Sequence, residues 1–462
     1  MPGSLAFLCG HKRSEGGTFQ VNSSQPRHSN PSCCGPVIEE FDDQPMTKRG
    51  GYGLLRRFLQ KLGLPGQLQG LPKACPDGQR YQSHHYLAAL LCGSLVGCHR
   101  QAHIAALAQD PILGDLLETS FPSQSRLSYF LNQCSAGVAE SLLELNRAWL
   151  RRLRRTQVVA TLDLDTTVIS TCGSPQGADY GYNPKRQGAQ SYVAMLVFCG
   201  QSREALHGSL HSGKCATISA QRAIASFEAG AAALGPQVQR VHARADAGYY
   251  SEAFLAYLEA RRVTYYVAAR GSEGLRSKLP GLSYRELDEK WAVAELYYQP
   301  PSASRPRRYV VVREKLEPDH RGSKQLLLLS HQGYGFQVIV TSNRHQPEQV
   351  WHEYNRRCRA ENSIKEQQSD FGLDHVLCRS GGGNSTWLAL ALLAYNLMNW
   401  FREVLLGQKG HRHTAAWLRE RLFELPGRLV RGGRRRRLKL FADTLGQRLF
   451  AQALFNLQVF RL

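Results

Sequence analysis

The chain lacks any apolar run long enough to cross a membrane. Its most apolar stretch, Trp387 to Phe401, falls short of the about 18 residues a spanning helix requires. It also carries Asn396 and Asn399, so it reads as a core helix, and no membrane partner is expected. Paired cysteine spacings are missing too. The 12 cysteines are scattered, without the spacings of a disulfide framework or a signal-like leader, which argues against a small disulfide-stapled secreted domain and points to a reducing cytoplasm. The nearest approach to a metal motif, Cys92, Cys98, His99 and His103, has no standard zinc spacing and lies in a helical apolar stretch, where buried thiols account for it. No internal repeat is visible. Acidic residues are in short supply: 37 Asp and Glu stand against 58 Lys and Arg, a net charge of +21.

What is present is enough for a folded protein. A length of 462 residues accommodates two or three domains, and with 42% apolar residues the charge decorates a core rather than replacing it. Nucleic acid is the simplest partner for such a surface, although an anionic membrane or a ribosome would attract the same charge. Charge alone names no reaction.

Residues 1–36 are rich in Ser, Pro, Gly and Cys without an apolar period and are expected to be a disordered extension, or an overextended translation start. From 37 to 154 the periodicity is helical, at Tyr86 to Leu95, Ile104 to Leu117 and Val138 to Leu153. Between the last two, Ser123 or Ser125 is placed to cap a short helix presenting Gln124, Arg126 and Ser128, the look of a helix-turn-helix recognition helix; an ordinary polar helix face accounts for it equally. The period then changes. Strands are expected at Gln157 to Asp165, Ser191 to Gly200, 205–210, Val238 to Asp246 and Val263 to Ala269, with helices at Ile218 to Leu234 and Ser251 to Arg262. That order is the α/β plan of an RNase-H-like core, expected over 155–270 and 343–375. An antiparallel β-rich insertion is expected over 271–342, with strands at Ala292 to Gln299, Tyr309 to Glu314, Gln325 to His331 and Gln337 to Thr341. Helices follow at Pro347 to Asp370 and Thr386 to Leu406, inside a helical, basic C-terminal region over 376–462.

Three acidic segments carry the chemistry. In T-L-D-L-D-T-T (161–167), read as a strand end, period-two geometry puts Asp163 and Asp165 on one face and Leu162 and Leu164 on the other. Two buried acids there repel unless a cation compensates them, so a divalent metal fits, as does a turn-capping Asp. In V-H-A-R-A-D-A-G-Y-Y (241–250) a strand runs into Asp246 two residues before Gly248; the acid either ligates or caps the helix that starts near Ser251. In the third, Tyr354, Arg357, Glu361, Lys365 and Gln368 share one helical stripe, otherwise a solvated face. Taken together, convergent carboxylates are what phosphodiester chemistry needs to hold Mg²⁺, with Arg357 and Lys365 beside them for phosphates.

These segments resemble bacterial insertion-sequence transposases of the DDE superfamily, in the branch with a Y-x2-R-x3-E-x6-K signature. Tyr354, Arg357 and Glu361 match it, and Gln368 occupies the place of its lysine, with Lys365 one turn earlier. The resemblance spans about residues 37 to 460 and includes D-T-T at 165–167, G-Y-N-P-K at 181–185, R-A-D-A-G at 244–248 and A-E-N-S-I-K-E at 360–366. It implies Asp165, Asp246 and Glu361 as catalytic metal ligands for two Mg²⁺ (or Mn²⁺) ions, with Asp163 supporting. It further implies double-stranded DNA as partner, both element ends and target, a homodimer in the end complex, and work at the bacterial nucleoid.

Two basic segments are candidates for holding that DNA. Lys185 and Arg186 lie in a Gly-flanked loop suited to a phosphate or splayed base, or are solvated charges of a hairpin turn. In the run from Arg428 to Lys439, Arg434, Arg435, Arg436 and Arg437 are expected to contact phosphates without reading sequence. The apolar residues that follow suggest that this run belongs to a terminal helical unit.

Overall fold

The computed structural model describes residues 44–74, 81–153, 156–216, 218–316, 330–407, 413–432 and 435–460; the extension expected at 1–36 lies outside them, as does Arg434. After a two-residue strand β1 (Met46–Thr47), the chain forms helices α1 (Tyr52–Lys61), α2 (Leu64–Gln69), α3 (Ser83–Val96), α4 (Gln101–Ala106), α5 (Pro111–Leu117), α6 (Gln124–Gln133) and α7 (Ala136–Leu153). The expected helix from Ile104 to Leu117 is broken at Asp110. There Pro111 opens α5, and Asp110 Oδ1 accepts the amides of Ile112 and Leu113, a start signal strong enough to end the preceding helix. Ser123 stands at the N-cap of α6 with no side-chain cap bond, and Gln124 and Arg126 are exposed.

The middle of the chain builds a mixed sheet from β2 (Val159–Ser170), β3 (Asp179–Tyr180), β4 (Gln190–Cys199), β5 (Ala205–Ser212), β6 (Arg240–Ala245) and β7 (Thr264–Ala268), with α8 (Ala220–Ala231) and α9 (Glu252–Ala260) between β5 and β7. β4 runs antiparallel between β2 and β5, whereas β2, β6 and β7 are parallel neighbours. The next segment holds α10 (Glu273–Arg276), β8 (Arg285–Glu286), β9 (Trp291–Tyr298), β10 (Arg307–Lys315), β11 (Ser330–His331) and β12 (Tyr334–Thr341); the expected strand start at Gln325 lies outside the described residues. These strands extend the same sheet rather than forming a second one. β12 pairs antiparallel with β7, Val340 opposite Val267, so among the described residues the sheet has 11 strands.

Helices cover both faces. Leu162 and Val197 meet α8 at Gly230, while Leu196 meets Leu388 and Leu392 of a long helix at Gly208, so the two layers lie on opposite sides of the sheet. Period two along β2 therefore turns Leu162 and Leu164 towards α8 and Asp163, Asp165 and Thr167 the other way.

On that other side lie α11 (Pro347–Asn355), α12 (Cys358–Phe371) and α13 (Gly381–Leu406), followed by α14 (Ala415–Leu418). α13 is buried on nearly every face, which its apolar composition requires. Its Asn396 joins layers: Nδ2 donates to Asn146 Oδ1 and Ala205 O, both at 2.8 Å, and Oδ1 accepts the Ala205 amide at 2.9 Å. Among the described residues no helix is long and apolar enough to cross a membrane.

Two expectations are corrected here. The single helix from Pro347 to Asp370 is two, α11 and α12, separated at Arg356 and Arg357. The basic run is not helical. It forms a hairpin, β13 (Gly427–Gly432) and β14 (Arg435–Leu440), which joins β1 in a three-stranded sheet before α15 (Thr444–Val459) closes the described chain. Alternation of Leu429, Leu438 and Leu440 with charged residues has period two, and Gly432 and Gly433 between two such runs are a hairpin signal that outweighs the helix-forming preference of arginine.

Candidate active site

The site begins with the pairing of β2 and β6. Their parallel register sets Asp163 beside Arg244 and Leu164 beside Ala245, so the next residues on, Asp165 and Asp246, are neighbours at the same level of the sheet. β2 does not end at Asp165, as its sequence suggested, but runs five residues further to Ser170, backed along that length by β4. Asp165 is thus held in mid-strand on a paired backbone.

Asp163 is spoken for. Only 1% exposed, its carboxylate accepts Arg244 Nε at 2.6 Å and Nη2 at 2.8 Å, a bidentate pair. Arg244 Nη1 also donates to the Glu353 carbonyl of α11 at 2.9 Å, so one guanidinium joins the strands of the first two acids to the helix that precedes the third. Burial pushes the Asp163 pKa up, and Arg244 pulls it back. The cation that compensates Asp163 is this arginine. The motif R-A-D-A-G contained Arg244, but its partner is separated by 81 residues and only strand register reveals it.

Asp165 has a different arginine. Its Oδ2 lies 3.0 Å from Arg357 Nη1, while Oδ1 accepts the Thr166 amide at 2.9 Å. Burial raises the Asp165 pKa to about 6 against the pull of Arg357, and the Asp246 and Glu361 carboxylates add to the rise. Arg357 Nη2 donates to Glu361 Oε1 at 2.7 Å, so the guanidinium stands between strand acid and helix acid. Glu361, in the first turn of α12, is half exposed and open to a ligand. Tyr354 is buried at the end of α11; burial raises its pKa, and the nearby positive charge of Arg357 pulls it back. The break between α11 and α12 thus splits the expected stripe, and Tyr354 reaches Arg357 across it.

Asp246 follows β6 directly. Its Oδ1 accepts the Gly248 amide at 2.9 Å, and a Cβ on residue 248 would lie 2.9 Å from that same oxygen, so a larger residue there would push the Asp246 carboxylate aside. Asp246 does not cap α9, because Ser251 does so, its hydroxyl oxygen accepting the Phe254 amide at 3.3 Å. Tyr249, fully buried, donates its hydroxyl to the Asp165 carbonyl at 3.2 Å and so ties this turn to β2.

Gln368, where the signature has lysine, donates from Nε2 to Thr167 Oγ1 at 2.7 Å. Thr167 lies two residues beyond Asp165 on the same face, so this bond fastens the Glu361 helix to the Asp165 strand. Neither residue's role was visible in the sequence. Lys365 is exposed on α12, and its side chain makes no hydrogen bond or ion pair among the described residues.

The other candidates lie around this centre. Lys185 and Arg186 are exposed in the loop after β3, shaped by buried Asn183, whose Oδ1 accepts both their amides at 3.2 and 3.1 Å. Lys185 acts on Asp374, just past α12: burial raises that carboxyl, and His375 and Lys185 outweigh it, holding the pKa below the usual range. Arg126 stacks over the Tyr81 ring at 5.4 Å. Arg435, Arg436 and Arg437 lie on β14, and Arg436 pairs with Asp115 of α5. Cys92 is buried beside Thr119.

Among the described residues no three of His, Cys, Asp and Glu are grouped to hold a metal ion as they stand, since Arg357 occupies the space between Asp165 and Glu361. The donor set nevertheless fits a hard divalent cation. All three groups are carboxylates, and those of Asp246 and Glu361 lie near enough to Asp165 to raise its pKa, a repulsion that a cation relieves.

Carboxylates brought by two neighbouring parallel strands and the first turn of a helix, gathered around one buried arginine, define an acid-centred site on an α/β scaffold. The chain belongs to the transposase DDE domain group 1 family, whose profile matches residues 34–462. It is therefore a transposase of the DDE type, a protein of DNA transposition. The solved structure of the piggyBac transposase synaptic complex with hairpin DNA is similar to it at a TM-score of 0.45 and 9% sequence identity, over 90% of this chain and 84% of that one. No curated protein matches the chain.

Proposed function

We propose that the chain is a DDE transposase of the Y-x2-R-x3-E-x6-K branch, with an RNase-H-like core, that binds the terminal inverted repeats of its own insertion sequence. It cleaves the ends by metal-dependent hydrolysis and joins the freed 3′-hydroxyls to target DNA. The observation that carries this reading is the convergence of Asp165, Asp246 and Glu361 around Arg357.

Asp165, Asp246 and Glu361 would hold two Mg²⁺ (or Mn²⁺) ions, which supply activation of the attacking oxygen and stabilisation of the leaving one. The chain's own residues prepare that centre. Arg357 bridges the Asp165 and Glu361 carboxylates and holds them close, with the buried Tyr354 ring beside the guanidinium. Tyr249 and Gln368 fix the Asp246 turn and the Glu361 helix to β2, so the three acids approach the scissile phosphate as a rigid set. Lys365, exposed one turn beyond Glu361, is placed to meet a substrate phosphate. The helical region 37–154, with Gln124 and Arg126 exposed on α6, would recognise the ends. Joining requires two ends held together, so the working unit on this reading is a homodimer on DNA at the nucleoid.

The test is a strand-transfer assay with Mg²⁺ on duplex DNA carrying the inverted repeats that flank the gene. Wild type should yield joined product. Asp165→Asn, Asp246→Asn and Glu361→Gln should each abolish cleavage while keeping end binding. Cleavage without joining would assign a nuclease, binding without cleavage a DNA-binding derivative, and full activity in any one variant would overturn the triad.

A further inference from the structure

We propose that the outward face of the β13–β14 hairpin, formed by Arg428, Arg435, Arg437 and Lys439, is a phosphate-binding ribbon for duplex DNA. The idea rests on the transposase reading and assigns one surface of that protein a partner. It starts from register. Residues directly opposite in an antiparallel ladder share a face, so Arg428 with Lys439, Val430 with Arg437 and Gly432 with Arg435 form one side. Gly427 with Leu440, Leu429 with Leu438 and Arg431 with Arg436 form the other.

The second side is the inner one. Buried Thr47 of β1 lies on it opposite Gly427, and Leu438 and Leu440 close over Gly50, where an added Cβ would come within 2.3 Å of Leu440 Cδ2. Arg436 on this side is neutralised by Asp115 of α5. The first side faces solvent: Arg435, Arg437 and Lys439 are exposed, as is Met46, the β1 partner of Arg428.

Charge on the outer side has no internal answer. No Asp or Glu occurs between Gly427 and Leu440. Among the described residues the side chains of Arg435, Arg437 and Lys439 make no hydrogen bond or ion pair, and Arg428 Nε is buried without a hydrogen-bond partner. Arg428 and Lys439 are directly opposite, a like-charge cross-strand pair that destabilises the hairpin until an anion covers it. A chain that pairs Arg436 with Asp115 and leaves Arg435, Arg437 and Lys439 exposed without an acidic partner presents those three to a polyanion. The shape agrees. A two-stranded ribbon fits the major groove of about 12 Å, and cations two residues apart on a strand are about 6.8 Å from one another, close enough to meet successive phosphates. Contacts of this kind position DNA without reading its sequence.

The experiment uses the full chain and a duplex lacking the element ends, with affinity measured by fluorescence anisotropy across a salt series. The triple variant Arg435→Gln/Arg437→Gln/Lys439→Gln should lower the slope of log K against log salt by about 2.7, or about 0.9 per lost phosphate contact. Arg436→Gln should leave the slope unchanged. Thermal melts of each variant confirm that the fold is retained, as expected for exposed strand positions. An unchanged slope in the triple variant overturns the proposal, and so does an equal loss in Arg436→Gln. Loss of binding to phosphatidylserine vesicles with DNA binding intact would assign the face to a membrane instead and also overturn it. The transposase reading fails separately: a wild-type chain that joins no ends yet shows this slope change loses that reading and keeps the ribbon, and joining with an unaltered slope does the reverse.

Discussion

Arg357 and Asp165 form a nearly buried ion pair, Nη1 to Oδ2 at 3.0 Å, in which the same guanidinium also grips Glu361 through its second nitrogen. The fork geometry matters as much as the charge. Arg357→Lys keeps a cation but cannot bridge two carboxylates, so single-turnover cleavage should fall by at least about tenfold while the melting temperature moves little. Arg357→Ala should in addition destabilise the fold by about 3 kcal/mol in urea titrations, because Asp165 is left buried without its partner. A lysine variant that cuts at the wild-type rate would remove Arg357 from the proposed machinery.

The Gln368 bond to Thr167 joins the helix of the third acid to the strand of the first. Gln368→Leu should cost about 1 kcal/mol of stability, the net worth of one hydrogen bond, and slow cleavage further than that figure implies for binding. Gln368→Lys restores the signature residue. It should steepen the salt dependence of end binding by about 0.9 in log–log slope, one extra phosphate contact. If lysine leaves that slope unchanged, residue 368 serves only to tie the helix down.

Asp163 and Arg244 are both nearly inaccessible and satisfy each other. Removing one partner strands the other: Arg244→Met should cost about 3–5 kcal/mol, and the double variant Asp163→Leu/Arg244→Met should recover most of it. Asp163→Asn should still cleave at a temperature where it is folded, unlike Asp165→Asn. Equal loss of cleavage in the two asparagine variants would make Asp163 a ligand and not a support.

His207 on β5 is held neutral. Burial, with the Arg147 charge beside it, lowers its pKa to about 4 against the opposing pull of Glu140. Since the folded pKa lies below the unfolded value of 6.5, the stability contribution is full above pH 6.5 and is lost as pH falls towards 4. The loss over that window is about 3 kcal/mol from the linkage of 1.36 kcal/mol per unit. Denaturant titrations at pH 7 and pH 4.5 should show His207→Gln losing less stability than wild type on acidification; an identical loss would assign the acid sensitivity elsewhere.

Much of the fold was legible because it is local. The alternation around Asp163 and Asp165, the strand that runs into Asp246 and the amphipathic stretch behind Glu361 are set by neighbours a few residues apart, and the strands and helices formed where those periods ran. Misreadings came where two local signals competed. At Asp165 an acid suggested a strand end, yet β4 supplies a paired neighbour to Ser170 and carries the strand through. In the arginine run the apolar residues that follow pointed to a helical unit and outweighed the Gly432–Gly433 hairpin signal, and tertiary contact with β1 settled the matter.

The sequence by itself determined which carboxylates are available, the order of strands and helices, and the excess of positive charge. The tertiary structure decided how they are used. Asp163 and Asp165 are two residues apart and chemically identical, yet one is closed off by Arg244 and the other shares Arg357 with Glu361. Those partners lie far along the chain, and a one-residue shift of the β2–β6 register would move Arg244 away from Asp163. Partner choice between distant side chains is a property of sheet register and helix packing, and no local period encodes it.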